Sequence, residues 1–490
     1  MKNKRFNLSV LQKRIISAVA FLLAAIVLAV SLSDTLHMKE KAPKMVDFFD
    51  AKNETYDVVA IGTSRIFSTV MPHYMWQKYG QAVGNMSQSR QSVAASYYLA
   101  KYAIRTQTPD VIVFDVAAVR YESQTMWEGK YSYLHESIDR MGFNRERYEA
   151  ITELLPMKDW AEFFFPFMLY HSRWDEVEAL DFKDPISYNN GAEAYMSLEV
   201  SAGPPITTET IELEATAEKY YRMLIELCQA NNVNLILINA PIAQEDEDAY
   251  PFQKAVNKAN QIAGEYGLSI IDYNTFAQQQ LGFNYATDLT NPTHCNNYGA
   301  IKITNHLADY INQNFPVPDR RGEKKYDGWD EKFALYDTII SLRDITDVNE
   351  YFKRIKHENF IVVLYGKGNI SNLLNDVNIK NSWFYTLGMK KDISAHPYHS
   401  YVAILDGGKI IYELLQNGPD VQVFDRYVGD IPVHCASDPN DAATGVICEV
   451  NGNRGLGRFG LNILVYDKTR LQVVDKSYIS ATDYTKISHP

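Results

Sequence analysis

Two polar side chains stand where apolar runs stop, and their types suit acyl-transfer chemistry. Ser64 lies in "VVAIGTSRIF" (58–67), a β-branched run that ends abruptly on Gly-Thr-Ser-Arg. A serine in that place is either the N-cap of a following helix or a nucleophile at the mouth of a sheet. His294 lies in "TDLTNPTHCNNYGAIKIT" (287–304), a turn-rich loop that precedes a helical pattern. An imidazole is the side chain best able to take and return a proton near neutral pH, so Ser64 with His294 reads as a nucleophile and its base.

Both loops depend on a sheet to bring them together. Between about 55 and 315, short apolar runs alternate with longer amphipathic stretches, the pattern of parallel strands joined by crossover helices. The runs 56–62, 110–116, 234–240 and 268–273 read as strands, and 92–106, 216–232, 252–267 and 299–314 as helices. The expected fold is a doubly wound, flavodoxin-like α/β domain over 46–318, whose ligands gather outside the carboxyl ends of the strands. Residues 120–210 interrupt the alternation. The aromatic density of "WAEFFFPFMLYHSRW" (160–174) marks them as an inserted cap. Prolines and charges replace periodicity over 319–334, read as a linker. From 335 to 490, short alternating strands with Gly-Gly and Asp-Lys turns predict a smaller α+β, mostly β, domain.

The first 45 residues differ again. The 18 residues Ile15–Leu32 carry no charge, enough for a single membrane span, and Lys2, Lys4, Arg5, Lys13 and Arg14 precede them. The positive-inside rule then keeps the N-terminus cytoplasmic and the bulk of the chain extracytoplasmic, while a cleaved signal peptide is the alternative. The formal net charge of -12 argues against a nucleic-acid partner, which needs clustered Lys and Arg. Four cysteines do not make a disulfide scaffold in 490 residues. Cys435 and Cys448 flank a polar, turn-rich segment and are either a bridge or two free thiols.

The blocks "IGTSR", "GNMSQSRQSVAASYYLAKY" (84–102) and "NPTHCNNYGA" resemble, in order and spacing, those of the SGNH (GDSL-like) hydrolase family. The likeness covers roughly 55–315. It is greatest to membrane-anchored members that work beside membrane-bound O-acyltransferases in polysaccharide O-acetylation or teichoic acid D-alanylation, and "FPFMLYHSRW" (165–174) is similar to a segment of their insertion. The resemblance implies Ser64 as nucleophile and His294 as base, with backbone donors for the oxyanion at Ser64 and at Ser87 or Gly84. Arg65, Asn85, His171 and Arg173 are the candidate substrate contacts. Three departures accompany it: the family's aspartate, three residues before the histidine, is here Asn291, whose amide can orient the ring but does not stabilise imidazolium as a carboxylate does, with Asp288 as the alternative partner; the second-block glycine is replaced by Ser87; and the third-block Gly-x-Asn-Asp is not found after "DVIVFDV". The implied activity is esterase or O-acyltransferase chemistry on a cell-surface glycan, with no cofactor and with a membrane-bound O-acyltransferase as the partner. A fold that kept glycan binding or an assembly role without full catalysis is the rival.

"SYVAILDGG" (400–408) and "FGLNILVYDKTRLQVVDKSYI" (459–479) resemble strands of the interleukin-like EMT inducer (PANDER-like) domain, which implies an exported module and a glycan-binding candidate. His396 and His399 have no third ligand at fixed spacing, so no metal site is expected.

Overall fold

The computed structural model describes residues 9–36, 45–120, 131–177, 179–182, 187–204, 206–243, 249–416, 422–437 and 448–489. Most of the segment between Cys435 and Cys448 lies outside them.

The chain divides into two compact units, Met1–Asp184 with Asn190–Arg320, and Pro185–Asn189 with Arg321–Pro490. The division places five residues of the insertion with the second unit: the Tyr188 hydroxyl donates to Asp467 Oδ1 there, and Arg470 lies over the Tyr188 ring. Residues 319–334 are not an open linker. They hold the turn Lys324–Tyr326 and the start of the helix Trp329–Ser341, and Tyr326 and Phe333 are buried there.

The first unit is built on a five-stranded parallel sheet: β1 (Val58–Gly62), β2 (Val83–Ser87), β3 (Val111–Asp115), β4 (Asn234–Asn239) and β5 (Ile270–Asp272), in the order β2-β1-β3-β4-β5. Strands β1, β2 and β3 are buried along their whole length, which explains the apolar runs of β1 and β3 without alternation. The sequence reading did not include β2. Its Gly, Asn and Ser are poor strand formers, and it is held by partners instead: Asn85 N–H donates to Asn190 O, and Asn190 Nδ2 to Val83 O. Helices Val93–Gln107, Ala215–Ala230, Ala249–Glu265 and Asn297–Asn314 follow the helical patterns to within three residues.

The N-terminal helix, Val10–Leu36, is long and apolar enough to cross a membrane. The second unit contains two antiparallel sheets. One comprises β8 (Phe360–Lys367), β9 (Ser400–Asp406), β10 (Lys409–Gln416), β15 (Gly460–Asp467) and β16 (Gln472–Ser480); the other comprises β11 (Gln422–Val428), β12 (Ile431–Ser437), β13 (Cys448–Val450) and β14 (Asn453–Arg454). Residues from both sheets, Val363 and Ile404 with Val433 and Val450 among them, form one core. Cys435 and Cys448 are directly opposed in the β12–β13 register, buried and unbridged.

Two glycines make opposite predictions. A Cβ on Gly299 would lie 2.3 Å from the Asp288 carbonyl oxygen, so the loop before the helix Asn297–Asn314 can approach only a glycine. Gly264 sits inside the helix Ala249–Glu265 with nothing within 4 Å. Gly299→Ala should lose roughly 1–3 kcal/mol through overpacking, and Gly264→Ala should gain about 0.5–1 kcal/mol from helix propensity. Urea unfolding of both variants measures the difference, and equal midpoints would contradict the packing.

Candidate active site

Strand β1 delivers the serine. After Gly62, Thr63 caps the helix Ser64–Thr69 by accepting from the Arg65 N–H, and Ser64 becomes the first helical residue, half-buried among buried neighbours. Gly62 has φ 151°, and a Cβ there would come within 2.8 Å of Asp115 Cβ, so the bend requires glycine.

The histidine arrives on a hairpin. β6 (Leu289–Asn291) and β7 (His294–Cys295) pair so that Asn291 faces His294 across a Pro-Thr turn, which converts a three-residue spacing into a side-chain contact. Asn296 fixes this hairpin to its helix. Its Oδ1 accepts from the N–H groups of Tyr298 and Gly299, while its Nδ2 donates to Thr287 O at 2.8 Å.

The loops meet across 230 residues: His294 Nε2 lies 2.7 Å from Ser64 Oγ. On the other side of the ring, Nδ1 lies 2.9 Å from both Asn291 Oδ1 and Thr293 Oγ1. With Nδ1–H donating to the amide oxygen, Nε2 is left unprotonated and able to accept the Ser64 proton. The helix Asn297–Asn314 holds the two loops in register, since the Thr304 hydroxyl donates to Thr69 O and accepts from the Met71 N–H. The returning limb of the insertion adds a second tie. Glu193 N–H donates to Phe67 O beside the serine, and Glu199 N–H to Leu289 O beside the histidine.

Beneath the serine lies a buried charged network. Thr63 Oγ1 donates to Asp115 Oδ2 at 2.7 Å, and the Ala117 N–H donates to Asp115 Oδ1. Burial pushes the Asp115 carboxyl above its ordinary range, opposed by the nearby Arg65 charge and by these two hydrogen bonds. Asp272 is raised for the same reason, and Gln253, Asn274 and Asn239 oppose the shift. The Arg65 guanidinium is buried between them, bonded to Asn239 Oδ1 and Ala240 O and stacked 4.8 Å from the Phe252 ring centre. Cys295, next to the histidine, has its thiol pushed up to about 12 by burial, so at neutral pH it is not a competing thiolate.

The other candidates fall in different places. Asp288 is committed elsewhere: its carboxylate takes Lys302 Nζ at 2.6 Å, the Asn284 N–H and the Thr287 hydroxyl, so it is not the imidazole's partner. Gly84 sits inside β2 opposite Val59, where a Cβ would meet the Tyr56 ring at 2.7 Å; its glycine serves ring packing, and its distance along the strand from Ser87 removes it from the oxyanion position. Ser87 ends β2 beside Gly62, at the serine's rim, and its hydroxyl bonds to Asn85 Oδ1. Asn85 is buried in β2. Arg65 is likewise a buried structural cation, not an open substrate contact. His171 is exposed, and Arg173 binds Asp181 and the Leu36 carbonyl.

Sequence reasoning missed Thr293, Thr63 and Asp115. The available signal for Asp115 was a carboxylate closing an apolar strand next to the serine's strand. Among the described residues, no group of three or more His, Cys, Asp or Glu is arranged to hold a metal ion; the rings of His396 and His399 lie 4.8 Å apart. Comparison with known proteins finds neither a matching family model nor a matching curated protein.

Asn296→Ala removes a cap and the hairpin's carbonyl tie together. The expected loss is about 1–2 kcal/mol in chemical denaturation, and a change below about 0.5 kcal/mol, the scale of a neutral surface substitution, would show that Asn296 does not hold the histidine loop.

Proposed function

We propose that this chain is a membrane-anchored serine acyl esterase or O-acyltransferase of the SGNH-like type, acting on a cell-surface glycan. The observation that carries the reading is the 2.7 Å Ser64–His294 contact, with Asn291 on the far ring nitrogen. The strand order β2-β1-β3-β4-β5 supports the doubly wound part of it, because ligands of such sheets bind outside the strand carboxyl ends, where Ser64 and the β6–β7 hairpin lie.

In the proposed reaction Ser64 Oγ attacks an acyl carbonyl as its proton passes to His294 Nε2. The tetrahedral oxyanion forms near the Ser64 N–H at the start of the helix Ser64–Thr69, a backbone donor of the kind that stabilises such charge. Collapse breaks the ester C–O bond, the imidazolium protonates the departing alcohol, and the acyl group stays on Ser64. Water or a sugar hydroxyl, deprotonated by His294, then takes the acyl group and restores the serine. Asn291 holds the ring tautomer without supplying negative charge, so turnover is slower than with a carboxylate.

The apolar helix Val10–Leu36 supports anchoring, and the basic residues before it support an N-terminus in the cytoplasm. A neighbouring membrane-bound O-acyltransferase would be the acyl source. In the second unit the exposed Tyr385, Tyr398, Tyr427 and Phe459 offer ring faces for sugars, in keeping with the glycan-binding role proposed for that domain. The engagement of Asp288 with Lys302, with the Asn291 amide on the far ring nitrogen of His294, favours the second reading, a binding or assembly protein without turnover.

A fluorophosphonate probe should label the intact protein at Ser64, and Ser64→Ala or His294→Ala should abolish aryl-acetate hydrolysis. Asn291→Asp should raise turnover by at least about tenfold, in the direction set by carboxylate-to-amide exchange in serine triads. Absence of labelling, with hydrolysis indifferent to both alanine variants, leaves the binding protein.

A further inference from the structure

The insertion meets the N-terminal helix at the point where its apolar run stops. Leu32 closes the uncharged stretch, and Ser33, the next residue, accepts the Phe167 N–H at 3.1 Å. One turn further, the Leu36 carbonyl accepts from Arg173 Nη1 at 2.6 Å, and the same guanidinium binds Asp181 through Nη2 at 3.0 Å. These bonds set a depth. An 18-residue uncharged helix rises about 27 Å, close to the hydrocarbon thickness of a bilayer, so Ser33 lies at headgroup level and Phe167 with it.

Each polar tie is followed in sequence by a large apolar side chain turned to the surface: Met168 after Phe167, Trp174 after Arg173 and Phe182 after Asp181, with 44%, 73% and 70% of their surface exposed. The polar members satisfy the helix end, while much of each apolar side chain is left facing outward. Interfacial aromatics are favoured where an apolar body meets a polar layer.

We propose that Met168, Trp174 and Phe182 of the insertion form a membrane-interface face, seated in the phospholipid leaflet on the side of the folded unit. The occupant is lipid, because the face continues the surface of a helix whose apolar window contains no buried residue. The inference rests on the anchoring part of the proposed function and is independent of the serine chemistry. Seated in this way, the first unit is held at the bilayer by a face as well as by a tether, which restricts its tilt over the membrane.

The test uses the full chain in phosphatidylcholine vesicles, with a nitrobenzoxadiazole label on a cysteine introduced by Met168→Cys, Trp174→Cys or Phe182→Cys. The four native cysteines are buried and leave the introduced thiol as the reactive one. Leu22→Cys reports the centre of the helix, and Ile211→Cys, exposed on the same unit, reports water. The three insertion labels should be quenched several-fold more by lipids spin-labelled near the headgroup than by those labelled at the chain end, and should be shielded from iodide. The Ile211 label should show the reverse sensitivity. Insertion labels that follow Ile211 overturn the proposal while a lipid-quenched Leu22 label keeps the anchor. Shielding from iodide without lipid quenching, as self-association through this face would give, overturns it as well. A Leu22 label open to iodide removes the anchor and the proposal together.

Discussion

The hydrogen bond between Ser64 Oγ and His294 Nε2 is the constraint on which the rest of the first unit depends. It joins the loop after the first strand to a hairpin before the last helix of the parallel sheet, so almost the whole unit must fold before it can form. Parallel order makes this possible by bringing strand carboxyl ends to one rim. Two further devices hold the distance: the Thr304 hydroxyl bridging Thr69 O and the Met71 N–H, and the insertion's backbone bonds at Glu193 and Glu199. The insertion therefore supports both loops of the site at residues 193–199, besides contributing aromatic surface at 160–174.

The carboxylates around Ser64 and His294 are each held by other partners. Asp288 is paired with Lys302, Asp115 with Thr63 and the Ala117 N–H, and Asp272 with Gln253 and Asn239. Burial raises the carboxyls of Asp115 and Asp272, and Arg65 lies within electrostatic range of both. A neutral amide at Asn291 avoids placing another charge beside this network, while its oxygen still selects the Nδ1–H tautomer of His294. The arrangement favours orientation of the base over stabilisation of its charged form.

Much of this was legible in the chain, and the rest fails for identifiable reasons. Ser64 and His294 could be read because a strand end and a helix start each leave a local mark, and Asn291 through the resemblance alone; the two-residue turn that brings it opposite His294 is visible only in the structure. Thr293 and Asp115 could not, since their partners are set by side-chain direction within a loop and by the neighbouring strand. Strand β2 was hidden by Gly84, Asn85 and Ser87, whose low strand propensity is overridden by burial and by Asn190. Gly84 suggested an oxyanion donor but answers to the Tyr56 ring. The charged composition of 319–334 concealed the buried Tyr326 and Phe333, and aromatic residues outweigh charge in deciding whether such a stretch folds. Cys435 and Cys448 were readable as neighbours, although not as thiols or a bridge; in the structure they are opposed and unbridged.

The most direct test of the central claim is peptide-resolved mass spectrometry of the intact protein, quenched in acid seconds after mixing with an activated acetyl ester. The account predicts one acetyl group on the peptide carrying Ser64, formed before steady-state release and missing when His294 is replaced by alanine. An acetyl group found only on surface lysines, at the same rate with and without His294, would contradict it.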